Sequence, residues 1–186
     1  MTTPQRGRPK GQQASKLSSE KIIICAAELL QQQGKVPSLR QVSRALEVDP
    51  MALYHYFDNK AALLQALCLQ LFTQLYQPSG RDFRLQIQRL CHSYLQLLSD
   101  YPGLLETVLS MADSGPAQVF CQRFEQALAP LNLSAAQQEA ARDLLVDYLH
   151  GFALSMQCNR SGQPLTVAHS SAAINLYLDG LSAPNR

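Results

Sequence analysis

The chain has 186 residues, 46% hydrophobic and 16% charged, with sixteen Lys and Arg against fourteen Asp and Glu. This content supports a real core, excludes global disorder, and contains no apolar run long enough to span a membrane. Residues 1–60 hold nine basic against five acidic residues, while residues 61–186 hold seven against nine, so a basic head is joined to a mildly acidic body.

Residues 1–17 are rich in Gln, Lys, Arg, Gly and Pro and read as a flexible basic arm. The first twenty residues are polar, so no signal peptide is expected and a cytoplasmic location is. Within the arm, Arg6-Gly7-Arg8-Pro9-Lys10-Gly11 resembles an AT-hook core, a slim segment whose arginines suit a narrow A·T minor groove. A helix is predicted from Ser18 or Ser19, with Ile22, Ile23, Ala26, Ala27, Leu29 and Leu30 as its apolar face and Gly34 as its stop.

Residues 38–60 read as two short helices joined by a tight turn. Val42, Ala45 and Leu46 face inward on the first; Asp49 caps the second, with Pro50 at its first helical position and Leu53 and Phe57 buried. This is the pattern of a helix-turn-helix, in which the start of the second helix enters the major groove and neighbouring side chains hold phosphates. Pro50, Met51, Ala52 and His55 are then nearest the base edges, and Arg40, Gln41, Tyr54, Tyr56 and Lys60 hold the backbone. With Arg6, Arg8 and Lys10 of the arm they form the predicted DNA-binding set. A helix over Ala61–Tyr76 follows, ended by Pro78-Ser79-Gly80, which places the boundary between an 18–77 DNA-binding domain and a 78–186 body.

The body reads as five more helices: Arg81–Leu98, Leu104–Ala112, Ala117–Ala129, Ser134–Cys158 and Leu165–Leu181. No strand-like alternation occurs, so the fold class is all-α with about nine helices. The last two helices carry small residues (Ala140, Ala141, Gly151, Ala153; Ala168, Ser170, Ser171, Ala172, Ala173) among Leu145, Leu149, Phe152, Ile174 and Leu178. From the residues alone these stripes serve either a partner or the chain's own core. Five separated cysteines without ligand spacing argue against zinc or a disulfide framework, and no cofactor is expected. Phosphate loops, nucleophile elbows and H-E-x-x-H are all missing, so the chain is not expected to be an enzyme.

The pair Ala26-Ala27, the run Leu53-Tyr54-His55-Tyr56-Phe57 and Lys60 together resemble the TetR family of bacterial repressors over about residues 19–70. Where that family has glycine in the turn, this chain has Glu47, which implies strain or an altered turn. The resemblance implies a homodimer through helices 134–158 and 165–181, reading a near-palindromic operator with two heads about 34–36 Å apart. It also implies an inducer pocket among the central helices, with Tyr94, Leu105, Met111, Phe120, Phe124, Tyr148, Phe152 and Met156 as candidate lining and His92 and His150 as candidate hydrogen-bonders. Inducer binding would then move the helix 61–76 and release the DNA. A DNA-binding activator or architectural protein without ligand control is the alternative.

Overall fold

The computed structural model describes residues 17–111 and 115–182. The predicted arm residues Arg6, Arg8 and Lys10 lie outside them. Nine α-helices and two short 3-10 turns are formed, and no strand occurs among the described residues. None of these helices is long and apolar enough to cross a membrane.

Helix α1 (Ser19–Gln33) is capped by Ser18, whose side chain accepts from the Lys21 N–H at 3.3 Å. It stops at Gly34, whose φ of 62° allows its N–H to reach the Leu30 carbonyl at 2.9 Å. Helix α2 (Leu39–Ala45) begins with a capping box between Ser38 and Gln41. Only Val42 and Ser43 are buried on it; Ala45 is exposed, contrary to the expected inward stripe, because the helix ends after two turns and the chain swings away.

That ending is a Schellman motif. The Val48 N–H bonds the Ser43 carbonyl at 3.0 Å and the Glu47 N–H bonds that of Arg44 at 3.2 Å, with Glu47 itself at φ 54°. The expected conflict in the turn is therefore real: a glutamate occupies the left-handed position, at a cost of about 1–2 kcal/mol. Glu47→Gly should stabilise the fold by about 0.5–1 kcal/mol once the greater freedom of glycine in the unfolded chain is subtracted. A thermal melt would register this as a rise of about 1–4 °C; a lower melting temperature would contradict the strain.

Helix α3 (Pro50–Leu53) has Asp49 as N-cap, its Oδ1 accepting from the Met51 N–H at 2.8 Å. It is shorter than expected, since regular helix gives way to a turn through Tyr56. The Phe57 N–H still bonds the Leu53 carbonyl at 3.0 Å, so both apolar side chains reach the core. Helix α4 (Lys60–Phe72) is capped by Asn59 and ends four residues before the expected Tyr76. Two competitors stop it: the Thr73 hydroxyl bonds the Gln70 carbonyl at 2.6 Å, and Arg123 occupies the carbonyls beyond.

The remaining helices are α5 (Phe83–Asp100), α6 (Leu104–Leu109), α7 (Gly115–Leu128), α8 (Ala135–Cys158) and α9 (Ser171–Ser182). Gly115 and Pro116, read from sequence as a breaker, instead form the first turn of α7, where proline lacks only an N–H that has no helical partner. The final helix is preceded by a 3-10 turn over Val167–Ser170. Buried Gln86 fastens the linker between α4 and α5, its Oε1 accepting from the Tyr76 hydroxyl at 2.8 Å and the Ser79 N–H at 3.0 Å. One continuous apolar core runs from Ile22 on α1 through Leu63, Leu67 and Phe72 on α4 to Leu178 on α9. Helix α4 thus contributes to both the head and the body, packing on α1 and on α7. Cys25, Cys68 and Cys91 belong to this core, and burial pushes the Cys68 thiol up to about 12.

Candidate nucleic-acid interface and an apolar cavity

Burying Leu53 and Phe57 turns the opposite side of the α3 segment outward. Met51 is 66% exposed; Pro50, Tyr54, His55 and Tyr56 are also exposed, and Ala52 is half-buried. Arg40 and Lys60 are exposed in the first turns of α2 and α4. A cation at a helix N-terminus opposes the helix dipole, so both positions are locally unfavourable unless an anion joins them. Neither is ion-paired among the described residues. Arg44, exposed one turn after Arg40 on the same face, was missed in the sequence reading, although its four-residue spacing was visible.

Two members of the predicted set have other partners. Gln41 Oε1 accepts from the Ser38 N–H at 2.9 Å and its Nε2 donates to Gln33 at 3.0 Å, so this side chain is engaged in capping. Tyr56 donates its hydroxyl to the Leu17 carbonyl at 2.7 Å. That bond ties Leu17, just ahead of α1, to the α3 segment.

In the body, a cavity of about 310 Å³ lies between α4, α5, α6, α7 and α8. Its walls include Phe72, the last residue of α4, with Tyr94, Met111, Phe120, Cys121 and His150. The Tyr94 ring stands 5.9 Å from Phe72 and 4.9 Å from Phe120, centroid to centroid. Its hydroxyl lies 2.8 Å from His150 Nε2. Burial pushes the Tyr94 phenol up and the His150 imidazole down, the latter opposed by Asp147, so both groups are held neutral.

The structure brings together only part of the predicted lining. Tyr94, Met111 and Phe120 line this cavity, whereas Leu105 and Phe124 are fully buried in the core behind it. Tyr148 faces a different concavity, and Phe152, 5.9 Å from Tyr148 ring to ring, is half-buried away from the cavity, as is Met156. His92 is also elsewhere, 3.2 Å from the Ser171 hydroxyl. Arg142, Val146 and His150, which share one wall, recur every fourth residue on α8; that spacing was a usable signal for the first two.

The other concavity is a groove of about 640 Å³ between α8 and α9, flanked by Leu144 and Leu176, which are 64% and 74% exposed. Of the stripe that the residues left open between a partner and the core, Leu145, Leu149, Ile174 and Leu178 are consumed by the chain's own core and Phe152 is half-buried. What remains outside is Leu144 and Leu176 beside Ala140, Ala173 and Gly180, an open apolar face rather than an enclosed site. Among the described residues, no group of three or more His, Cys, Asp or Glu is placed to hold a metal.

Residues 22–67 match the family model described as bacterial regulatory proteins, tetR family. Among curated protein sequences none matches the chain. Among solved structures the fold is similar to BioQ with its natural double-stranded DNA operator, at 24% identity and a TM-score of 0.73, covering 90% of this chain and 99% of that one. It is likewise similar to Streptomyces coelicolor ActR in complex with actinorhodin, at 17% identity and a TM-score of 0.72, covering 90% and 96%. A TetR variant from Acinetobacter baumannii AYE in complex with minocycline gives 23% identity and a TM-score of 0.67, covering 89% and 94%. At these identities the likeness is one of fold.

Proposed function

We propose that this chain, whose residues 22–67 belong to the tetR family of bacterial regulatory proteins, is a homodimeric repressor that binds a near-palindromic operator and leaves it when a small molecule fills the body cavity. The observation that carries the reading is the outward face of the α3 segment, with Met51, Tyr54 and His55 flanked by unpaired Arg40, Arg44 and Lys60. The apolar surface of Met51 and Ala52 suits thymine methyls, and His55 offers a hydrogen bond to a base edge. Tyr54 and the cations take phosphates. Residues 1–17 are the arm, 18–77 the DNA-binding unit and 78–186 the ligand and dimer unit. From its root at Leu17, Arg8 is nine residues away, a reach of up to about 30 Å when extended, enough for the adjoining minor groove.

Ligand control is supported over an architectural role by the cavity itself, since Phe72 ends the helix that begins at Lys60 beside the DNA-facing segment. An inducer that prefers the DNA-incompetent arrangement weakens operator binding, and operator weakens inducer binding by the same factor.

The test is a titration of the purified protein against DNA from its own upstream region and against a scrambled duplex, at two salt concentrations, with footprinting. A dimer footprint over a near-palindrome is expected, with affinity falling steeply as salt rises. Arg40→Ala and Lys60→Ala should each lower the salt slope by roughly two, one phosphate contact from each subunit of the dimer. Equal, weak binding to both duplexes would remove the specific-repressor reading.

A further inference from the structure

The body cavity has an uneven supply of hydrogen-bonding groups. Its buried phenol, Tyr94, lies 2.8 Å from His150 Nε2. A phenol is a far better proton donor than a neutral imidazole N–H, so the matched pairing has the hydroxyl donating and Nε2 accepting. The Tyr94 oxygen keeps its lone pairs, but its proton is used. Arg142, the one cation on the wall among the described residues, has Nε at 2.9 Å and a terminal nitrogen at 2.8 Å from the same Asp143 oxygen, with Glu139 at 3.8 Å from that terminal nitrogen.

Charge points the same way. Asp143 at 2.8 Å and Glu139 at 3.8 Å set two carboxylates against the single guanidinium of Arg142. Residues 61–186 contain no lysine. Arg123, which shares α7 with Phe120 and Cys121, is turned away onto the carbonyls at the end of α4. A bound anion would meet a neutralised guanidinium and surplus negative charge. A cation would meet aromatic faces, a hydroxyl oxygen and a carboxylate.

We propose that the ligand of this cavity is a compact aromatic amine in its ammonium form, its ring against Tyr94 and Phe120 and its charge toward Asp143. This rests on the reading of the cavity as the regulator's ligand site and narrows it to one chemical class. The about 310 Å³ available limits the ligand to a few fused rings or their equivalent.

Three probes with one ring system separate charge from shape: 1-naphthylmethylammonium, 1-naphthylmethanol and 1-naphthylacetate, titrated calorimetrically into the full chain at neutral pH. The ammonium should bind roughly tenfold or more tightly than the alcohol, with the acetate weakest. Asp143→Asn should erase that preference and, by releasing Arg142, move it toward the acetate; Phe120→Leu should weaken all three probes together. Acetate or alcohol binding as tightly as the ammonium to the unmutated protein overturns the amine proposal and leaves the cavity reading intact. Binding of the ammonium that is indifferent to both substitutions places it outside the cavity and also overturns the proposal. If none of the three binds, the ligand-site reading falls with it, whereas operator binding, measured separately, stands or falls on its own.

Discussion

Replacing Leu144 and Leu176 together with glutamate should convert the protein to monomers and lower operator affinity by at least about a hundredfold. Both leucines are largely exposed, one on α8 and one on α9, on either side of a groove whose other lining includes Ala140, Ala173 and Gly180. Small residues let a second pair of helices approach, and each leucine covered on association contributes about 1.5–3 kcal/mol. Twofold symmetry counts every residue twice, so the pair accounts for a large share of any dimer's stability. Four glutamates in the same place add the cost of burying unpaired charge. The single chain should be unharmed, because neither side chain belongs to its core, and an unchanged helical circular dichroism spectrum would verify this. The effect on DNA follows from linkage: two joined heads bind a palindrome with an effective concentration that separate heads lack. Sedimentation velocity and operator titration read the two consequences separately. A double variant that remains dimeric would exclude this groove as the interface, and one that is monomeric yet binds operator unchanged would exclude the dimer requirement.

The parts of this molecule that were legible in the sequence are those decided within a few residues. Asp49-Pro50 caps and opens α3 as expected, and α1 and α8 begin within a residue of the starts read for them, because Ser18 and Ser134 satisfy N–H groups three residues away. Gly34 and the strained Glu47 were likewise readable from local conformational preference. Decisions made across the chain were not. The end of α4 depends on Arg123, about fifty residues later, and the exposure of Ala45 depends on where α2 stops relative to α1. Phe120 and Phe124 are the same residue type one turn apart, yet one borders a void and the other is sealed behind it. Helical periodicity shows which face points inward, but whether the interior there is filled is set by four other helices. The same limit left Leu145 and Leu178 open between a partner and the chain's own core, when the surplus apolar surface is carried by their neighbours Leu144 and Leu176.

Arg123→Ala should destabilise the protein by about 2 kcal/mol and loosen the end of α4 selectively. The guanidinium reaches from α7 to three backbone carbonyls at the end of that helix: Phe72 at 3.2 Å, Thr73 at 3.0 Å, and Leu75. The Phe72 carbonyl also accepts from the Leu75 N–H at 3.1 Å, but those of Thr73 and Leu75 have no backbone partner, and all three lie at the negative end of the helix dipole, so one planar cation serves several acceptors at once. Hydrogen bonds to a charged group contribute about 1.5–3 kcal/mol each when isolated; sharing one side chain and partial exposure bring the total down to the figure given. For a chain of this length that is a fall of roughly 4–8 °C in Tm. Arg123→Lys should recover part of the loss, because an ammonium keeps the charge but cannot span three carbonyls. Amide hydrogen exchange should accelerate over residues 72–76 more than in α1 or α8. The position also bears on regulation: Phe72 contributes its ring to the cavity wall and its carbonyl to Arg123, while α4 begins at Lys60 beside the DNA-facing segment. A change in the cavity therefore reaches the head along a helix whose far end is held by one side chain. Releasing that end should weaken the coupling between cavity and DNA by more than it weakens DNA binding itself. An Arg123→Ala variant with unchanged Tm and uniform exchange would show that the clamp holds nothing, and α4 would then have to be positioned by its apolar packing alone.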